Sequence, residues 1–187
     1  MTPQELATAT GARIDRAKEQ LPFIESAMDA YDINTPQRQA AFLAQVGHEC
    51  AGFKFIYEIW GPTASQSRYE VRQDLGNVKP GDGYRYRGRG WIQLTGRDNY
   101  RKATERLRAA LGKAVVPDFE AEPDQVATPK WAAMTAADFW LANGCNELAD
   151  AGDPYKLCRK INGGLNGIHD RIALYRKACE VFNVHYP

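Results

Sequence analysis

The sequence predicts a mainly α-helical protein built around one core. Two observations carry the helical expectation. Helix-start signals of the Thr-Pro and Asp-Pro type recur at Thr2-Pro3, Thr35-Pro36, Thr128-Pro129 and Asp153-Pro154, where the polar side chain accepts from an orphan amide and the proline removes one. Behind these signals, apolar residues return at intervals of three and four, the period of one helix face. Length sets the single core: 187 residues, 44% of them hydrophobic, suffice for one sizeable core and are too few for several independent domains.

The elements follow in order. Thr2-Pro3-Gln4-Glu5 reads as an N-cap, a proline at the first helical position and a capping-box glutamate, so a short helix begins there. Ile14, Ala17, Leu21, Ile24, Ala27 and Met28 form the stripe of a second helix, with Pro22 as the one point at which it could be split. Thr35-Pro36 launches a third, running through Phe42, Leu43 and Val46 to about Cys50. From Gly61 to Gly90 the pattern turns irregular, with Gly61-Pro62, Gly76-Asn77, Pro80-Gly81-Asp82-Gly83 and Arg87-Gly88-Arg89-Gly90. A long irregular stretch in a compact domain is usually functional or disordered, and the interleaved Tyr69, Tyr84, Tyr86 and Trp91 argue against disorder. Ile92 to Thr95 is expected as a short strand or extended strut. Tyr100, Ala103, Leu107 and Ala110 then resume the helical period as far as Gly112. Thr128-Pro129 feeds a helix through Trp131, Met134, Phe139 and Trp140, Asp153-Pro154 starts another, and the last runs from about Asp170 through Phe182.

Charge and composition exclude several classes of function. The 24 basic and 23 acidic residues cancel to +1, which removes any global field that would draw the chain to nucleic acid. The start has neither a basic nor an apolar leader region, and no stretch approaches the roughly 18 consecutive apolar residues of a membrane span. The chain is therefore expected in the cytoplasm as made, with no stable membrane insertion. Cys50, Cys145, Cys158 and Cys179 lie far apart with no CxxC, a pattern that fits free buried thiols. His48, His169 and His185 are too scattered to supply a zinc site, so no metal and no cofactor is expected.

Among residues suited to chemistry, Glu49 stands first. It follows Phe42 by seven positions and Val46 by three, which places its carboxyl on the inward face of a helix beside apolar side chains. Burial there would raise its pKa, as a general acid needs in order to protonate a leaving oxygen near neutral pH. The same residue equally fits a helix end that pairs with an arginine. Glycoside hydrolysis commonly uses a second carboxylate across the scissile bond, and spacing alone leaves Glu58 and Glu70 level as candidates. Arg85, Arg87, Arg89, Arg97 and Arg101, with Tyr84, Tyr86 and Trp91, suit a sugar cleft, where rings stack on pyranose faces and guanidinium forks hold carboxylates or hydroxyls.

Three segments bring a resemblance: Phe42 to Glu49, Tyr86 to Tyr100, and Ile161-Asn162-Gly163-Gly164. In one order, from about Pro36 to Phe182, they resemble family 19 glycoside hydrolases, the chitinase-like group, and most closely its phage and prophage endolysin branch. Within that branch, Glu58-Ile59-Trp60-Gly61-Pro62-Thr63-x-x-Gln66, Asp74-Leu75-Gly76-Asn77 and Pro80-Gly81-Asp82-Gly83 resemble the loop that carries the second catalytic carboxylate. The resemblance implies a lysozyme-like, two-lobed helical domain with a central substrate cleft. It implies one catalytic domain over residues 1–187, with N-terminal helices in 1–35 and the hydrolase core in 36–187. Glu49 becomes the acid, Glu58 the base and Thr95 the hydroxyl that holds the attacking water. Gln93, Asn99, Asn162 and Arg171 become cleft residues, joined by Tyr86, Trp91 and Glu70 as expected substrate contacts. The plant members' longer interval between the two glutamates keeps Glu70 a rival for the base.

The reaction so implied is inverting, with carboxyls about 6.5–9.5 Å apart. The expected substrate is peptidoglycan, at the β-1,4 bond between N-acetylmuramic acid and N-acetylglucosamine, with chitin as the alternative and a non-catalytic wall-binding module as the reading from another class. An endolysin of this kind would be a monomer that waits in the host cytoplasm and reaches the periplasmic wall once a holin opens the inner membrane.

Overall fold

A computed structural model describes residues 1–187. Its helices are α1 (Pro3–Thr10), α2 (Ile14–Ala30), α3 (Pro36–Glu49), α4 (Ala64–Ser67), α5 (Asp82–Arg85), α6 (Arg97–Leu111), α7 (Pro129–Ala142), α8 (Cys145–Asp150), α9 (Pro154–Asn162) and α10 (Ile168–Val181), with 3-10 turns at Gln73–Leu75 and Pro123–Ala127. The mainly α expectation therefore holds, and only isolated antiparallel bridges, Tyr57 to Arg89 and Arg89 to Leu94, stand in place of strands. No helix is long and apolar enough to cross a membrane. The chain forms two compact units: residues Met1–Phe55 with Phe139–Pro187, and residues Ile56–Asp138.

The first unit is organised on α3. Thr35 caps it and Pro36 opens it, as the sequence predicts, and every residue from Ala40 to Gly47 is buried. A helix apolar on all sides needs partners on all sides, and α1, α8 and α10 provide them. α1 is thus part of this core, and α2 packs on α1. At Gly47 the contact is so close that a β-carbon would sit 2.4 Å from the Thr10 carbonyl oxygen. α1 carries the predicted capping box, with the Glu5 amide donating to Thr2 Oγ1 and the Thr2 amide to Glu5 Oε2.

α2 closes the alternative left open at Pro22, because it continues through the proline without a break. The proline forfeits one backbone hydrogen bond, yet Ala17, Ile24, Ala27 and Met28 remain buried on a single face, and packing against α1 outweighs the local cost of about 3 kcal/mol. All four cysteines are buried and free. Phe42 meets Trp140 edge to face at 5.3 Å, and the Trp140 indole donates to Asn146.

In the second unit, α6 buries Tyr100, Ala103, Thr104 and Leu107. The irregular stretch before it holds short helices and is ordered by polar side chains. Asn77, fully buried, donates to the Tyr69 carbonyl and accepts from the Arg97 amide. Asp82 accepts from the amides of Val78 and Lys79 and from the Arg97 guanidinium at 2.5 Å. Ile92 to Thr95 is not a strand. Arg89 and Leu94 exchange both backbone hydrogen bonds around a tight turn, which Gly90 at φ +78 and Gln93 at φ +32 make possible.

Candidate active site

Glu49 is the last residue of α3, and its setting comes from α10. Arg171, in the first turn of α10, is 3% exposed and spreads its guanidinium along one face of α3. Nη1 donates to Gln45 Oε1 at 2.5 Å and Nη2 donates to Glu49 Oε1. Gln45 and Glu49 are four residues apart, so helical geometry puts both acceptors within reach of one planar fork. The sequence reading that set Glu49 beside apolar groups is corrected here: its neighbour is a buried arginine, the pairing that spacing alone left open. Glu49 Oε2 has no hydrogen-bond partner within the protein, and the side chain is 19% exposed.

The loop from α9 to α10 completes this arrangement. Gly163 caps α9 in the left-handed conformation, as the Asn162-Gly163-Gly164 motif suggests. Asn162 Nδ2 and Arg171 Nε both donate to the Asn166 carbonyl, at 3.2 and 3.3 Å. Two expected site residues, Asn162 and Arg171, are thereby tied to the same backbone oxygen. His48 Nδ1 lies 2.5 Å from Asp170 Oδ2. A β-carbon on Gly167 would collide with the His48 ring, and Gly167 itself sits at φ +70, so only glycine fits.

The second unit holds the other expected residues. The Glu58 amide donates to the Gly88 carbonyl and the Gly88 amide returns a bond to Glu58 Oε2, both at 2.9 Å. Glu58 Oε1 accepts from Gln66 Nε2 at 3.1 Å. Gln66 is itself buried, and its Oε1 receives the amides of Gly61 and Thr63. The Tyr69 phenol belongs to the same group, for burial, then the Glu58 charge and a hydrogen bond to that carboxylate, raise its pKa. Glu58 is therefore a fixed carboxylate held on both oxygens.

Gly88 also admits Gln93: a β-carbon there would lie 2.4 Å from Gln93 Oε1 and 3.3 Å from the Glu58 β-carbon. Gln93 Nε2 donates to the Gly90 carbonyl. The Thr95 hydroxyl donates to the Gln93 carbonyl at 2.8 Å, and Asn99 Nδ2 to the Thr95 carbonyl at 2.7 Å. Since a carbonyl only accepts, the Thr95 proton is committed and its lone pairs remain available. Glu70 sits apart from this chain of contacts, with Oε2 accepting from the Gly83 amide at 3.2 Å. It links the segment after α4 to α5.

Tyr86 and Trp91, expected as substrate contacts, are 1% and 0% exposed. Tyr86 packs edge to face on Tyr100, lies under Arg97, and donates its hydroxyl to the Glu120 carbonyl. These two rings build the core of the unit because the chain around Gly88 and Gly90 turns them inward, which period counting cannot detect. The residues that sequence reasoning missed are the positioning amides of Gln45 and Gln66. Both left signals: Gln45 precedes Glu49 by one helical turn, and Thr63-x-x-Gln66 is a capping-box pattern. No group of three or more His, Cys, Asp or Glu side chains is placed to hold a metal ion.

No protein-family model matches the chain. It is 36% identical over 166 residues to a glycosyl hydrolase family 19 domain-containing protein of Haemophilus influenzae, covering 74% of this chain and 77% of that one. It is 33% identical over 172 residues to the acidic 27 kDa endochitinase of Solanum lycopersicum, with 78% of this chain matched. To the acidic endochitinase Q of Nicotiana tabacum it is 29% identical, again over 172 residues and 78% of the chain. The chain spans only 63% and 61% of those two plant proteins. Among solved structures, a bacterial family 19 chitinase superimposes with a TM-score of 0.73 at 24% identity, covering 99% of this chain and 96% of that one. Chitinase C from Streptomyces griseus gives 0.72 at 22%, covering 99% and 77%. At those identities the structural likeness concerns the fold, which is the lysozyme-like helical one that the sequence motifs imply.

Proposed function

The chain belongs to glycosyl hydrolase family 19 and is a glycoside hydrolase, and on that premise we propose that it cleaves bacterial peptidoglycan at the β-1,4 bond between N-acetylmuramic acid and N-acetylglucosamine. The observation that carries the catalytic part is Glu49, held through Oε1 by buried Arg171 while Oε2 stays unengaged. Oε2 donates the proton to the glycosidic oxygen. The carboxylate left behind is stabilised by the charge-assisted bond from Arg171.

Glu58 is the base in this proposal. Its carboxylate is fixed on both oxygens by Gln66 and Gly88, whereas Glu70 is spent on one backbone amide. Glu58 removes one proton from water, and Thr95, whose own proton is committed to the Gln93 carbonyl, accepts a hydrogen bond from the O–H that stays on the attacking oxygen. The water's free lone pair then attacks the anomeric carbon from the face opposite the leaving group. The proton taken by Glu58 passes to solvent and Glu49 is reprotonated, so the cycle closes with inversion. Gln93, Asn99 and Asn162 contact the sugar chain.

The preference for peptidoglycan rests on the segment from Glu58 to Gly83, which resembles the endolysin branch. Release of the enzyme to the wall after the inner membrane opens, and a monomeric state, belong to the same proposal. A second reading, hydrolysis of chitin, is favoured by the names of the plant relatives, which are endochitinases. Purified Gram-negative peptidoglycan and chitin are each digested, and the new ends identified by mass spectrometry. Reducing muramic-acid ends, absent with Glu49→Gln, support the proposal. Cleavage of chitin alone supports the second reading, and cut peptide or amide bonds overturn both.

A further inference from the structure

We propose that Arg85 and Arg87 form an anion subsite in the second unit that takes a carboxylate carried by the cell-wall glycan. The inference deepens the muramidase reading and rests on it for the identity of the ligand. Five arginines cluster in this part of the sequence, and the structure sorts them. Arg89 pairs with Asp124, Arg97 with Asp82 and Glu120, and Arg101 with Asp98 and Glu105. Arg85 and Arg87 have no carboxylate partner. Arg85 donates to the Ala121 carbonyl and the Tyr86 hydroxyl, and Arg87 to the Tyr84 carbonyl.

Both line a cavity of about 880 Å³. Its walls include the rings of Tyr57 and Tyr84, which are 44% and 51% exposed. The Arg87 guanidinium stands 4.1 Å from the centre of the Tyr84 ring and 5.8 Å from that of Tyr57. With Nη1 held by the Tyr84 carbonyl, packing against these rings restrains the fork and leaves its Nε–Nη2 edge for a bidentate acceptor. The acidic residues in the wall do not cancel the arginines, for Asp124 is matched by Arg89, and Glu122 offsets only one of the two charges that Arg85 and Arg87 bring. A charged fork between two exposed rings suits a sugar that carries a carboxylate, and it gives no advantage with a neutral polymer such as chitin.

Two carboxylates on wall glycan answer this description. In intact peptidoglycan the lactyl group of muramic acid is amide-linked to the peptide stem, so the free carboxylates belong to the stem. Removal of the stem by an amidase frees the lactyl carboxylate.

Calorimetric titration of the Glu49→Gln protein, in which turnover is expected to be about 10²–10⁴-fold slower, tests the proposal. The probes are a stem-bearing disaccharide, the same disaccharide after amidase treatment, and chitotetraose. Adding Arg87→Gln is expected to weaken the first or second probe about tenfold, with chitotetraose changed by less than twofold. Loss on the first alone assigns the stem, and loss on the second assigns the lactyl group. Arg87→Lys, which keeps the charge and loses the fork, should fall between, and Arg85→Gln should act in the same direction. Equal losses on all three probes, or none on either carboxylate probe, overturn the subsite. Failure of the muramidase reading shows elsewhere, as absence of muramic-acid ends in the wild-type digest.

Discussion

The Arg171 guanidinium, 3% exposed, donates to the Glu49 carboxylate at the C-terminal end of α3. A buried cation that loses its acceptor is left uncompensated, so the two simplest replacements of Glu49 should differ. Glu49→Gln keeps an oxygen for Arg171 and should unfold near the wild-type temperature while hydrolysis falls about 10²–10⁴-fold. Glu49→Ala should lose the same activity and about 3 kcal/mol of stability. For a chain of this size that is a fall of about 6–12 °C in Tm. Equal melting temperatures for the two variants would show that Arg171 is satisfied by Gln45 and Asn166 alone.

The two rival carboxylates separate by what holds them. Glu58→Gln should lower the turnover rate about 10²–10⁴-fold. Glu70→Gln should keep most of the activity and lose about 1 kcal/mol of stability at most, because its carboxylate meets one amide. Proton NMR of the earliest wild-type products should show the α-anomer at the new reducing end. Retained β-anomer, or a Glu70 variant as inactive as the Glu58 one, would remove Glu58 from the role of base.

Gly47 offers a test of the packing that positions Glu49. A β-carbon there would meet the backbone of Thr10 rather than a movable side chain. Gly47→Ala is expected to cost about 2 kcal/mol through overpacking, seen as a fall of about 4–8 °C in Tm. Because α1 must move away from α3 to admit the methyl group, activity should fall with stability. A stable and active alanine variant would mean that α1 does not brace the Glu49 end of α3.

The Asp82 carboxylate fixes the irregular segment, and its contribution depends on pH. Burial by itself raises its pKa; the Arg97 guanidinium and the amides of Lys79 and Val78 outweigh burial and hold it below the ordinary value of 3.8. A carboxyl depressed in the folded state adds stability that is fully present above its unfolded pKa and disappears as pH falls through the folded one. Asp82→Asn should therefore melt below wild type at pH 7, and the gap should close only below about pH 4. A gap that is constant from pH 7 to pH 2 would show that the pair contributes through shape alone.

The sequence by itself determined the helices and the place of Glu49 at the end of one of them. Thr2, Thr35 and Asp153 cap their helices because capping is a local bargain between a side chain and amides three residues on, and local terms are readable from spacing. The position of Glu49 at the end of α3 follows from the same periodicity. Pro22 marks where that reasoning fails, since the burial of one helix face overrode a local penalty. Only the tertiary structure decided what each polar group touches. It turned Tyr86 and Trp91 inward, gave Arg171 to Glu49 across 122 residues of chain, and left Arg85 and Arg87 without a carboxylate partner among five similar arginines. These outcomes depend on contacts between residues distant in sequence, and the free energy of such a contact is set by burial and geometry that no local window contains.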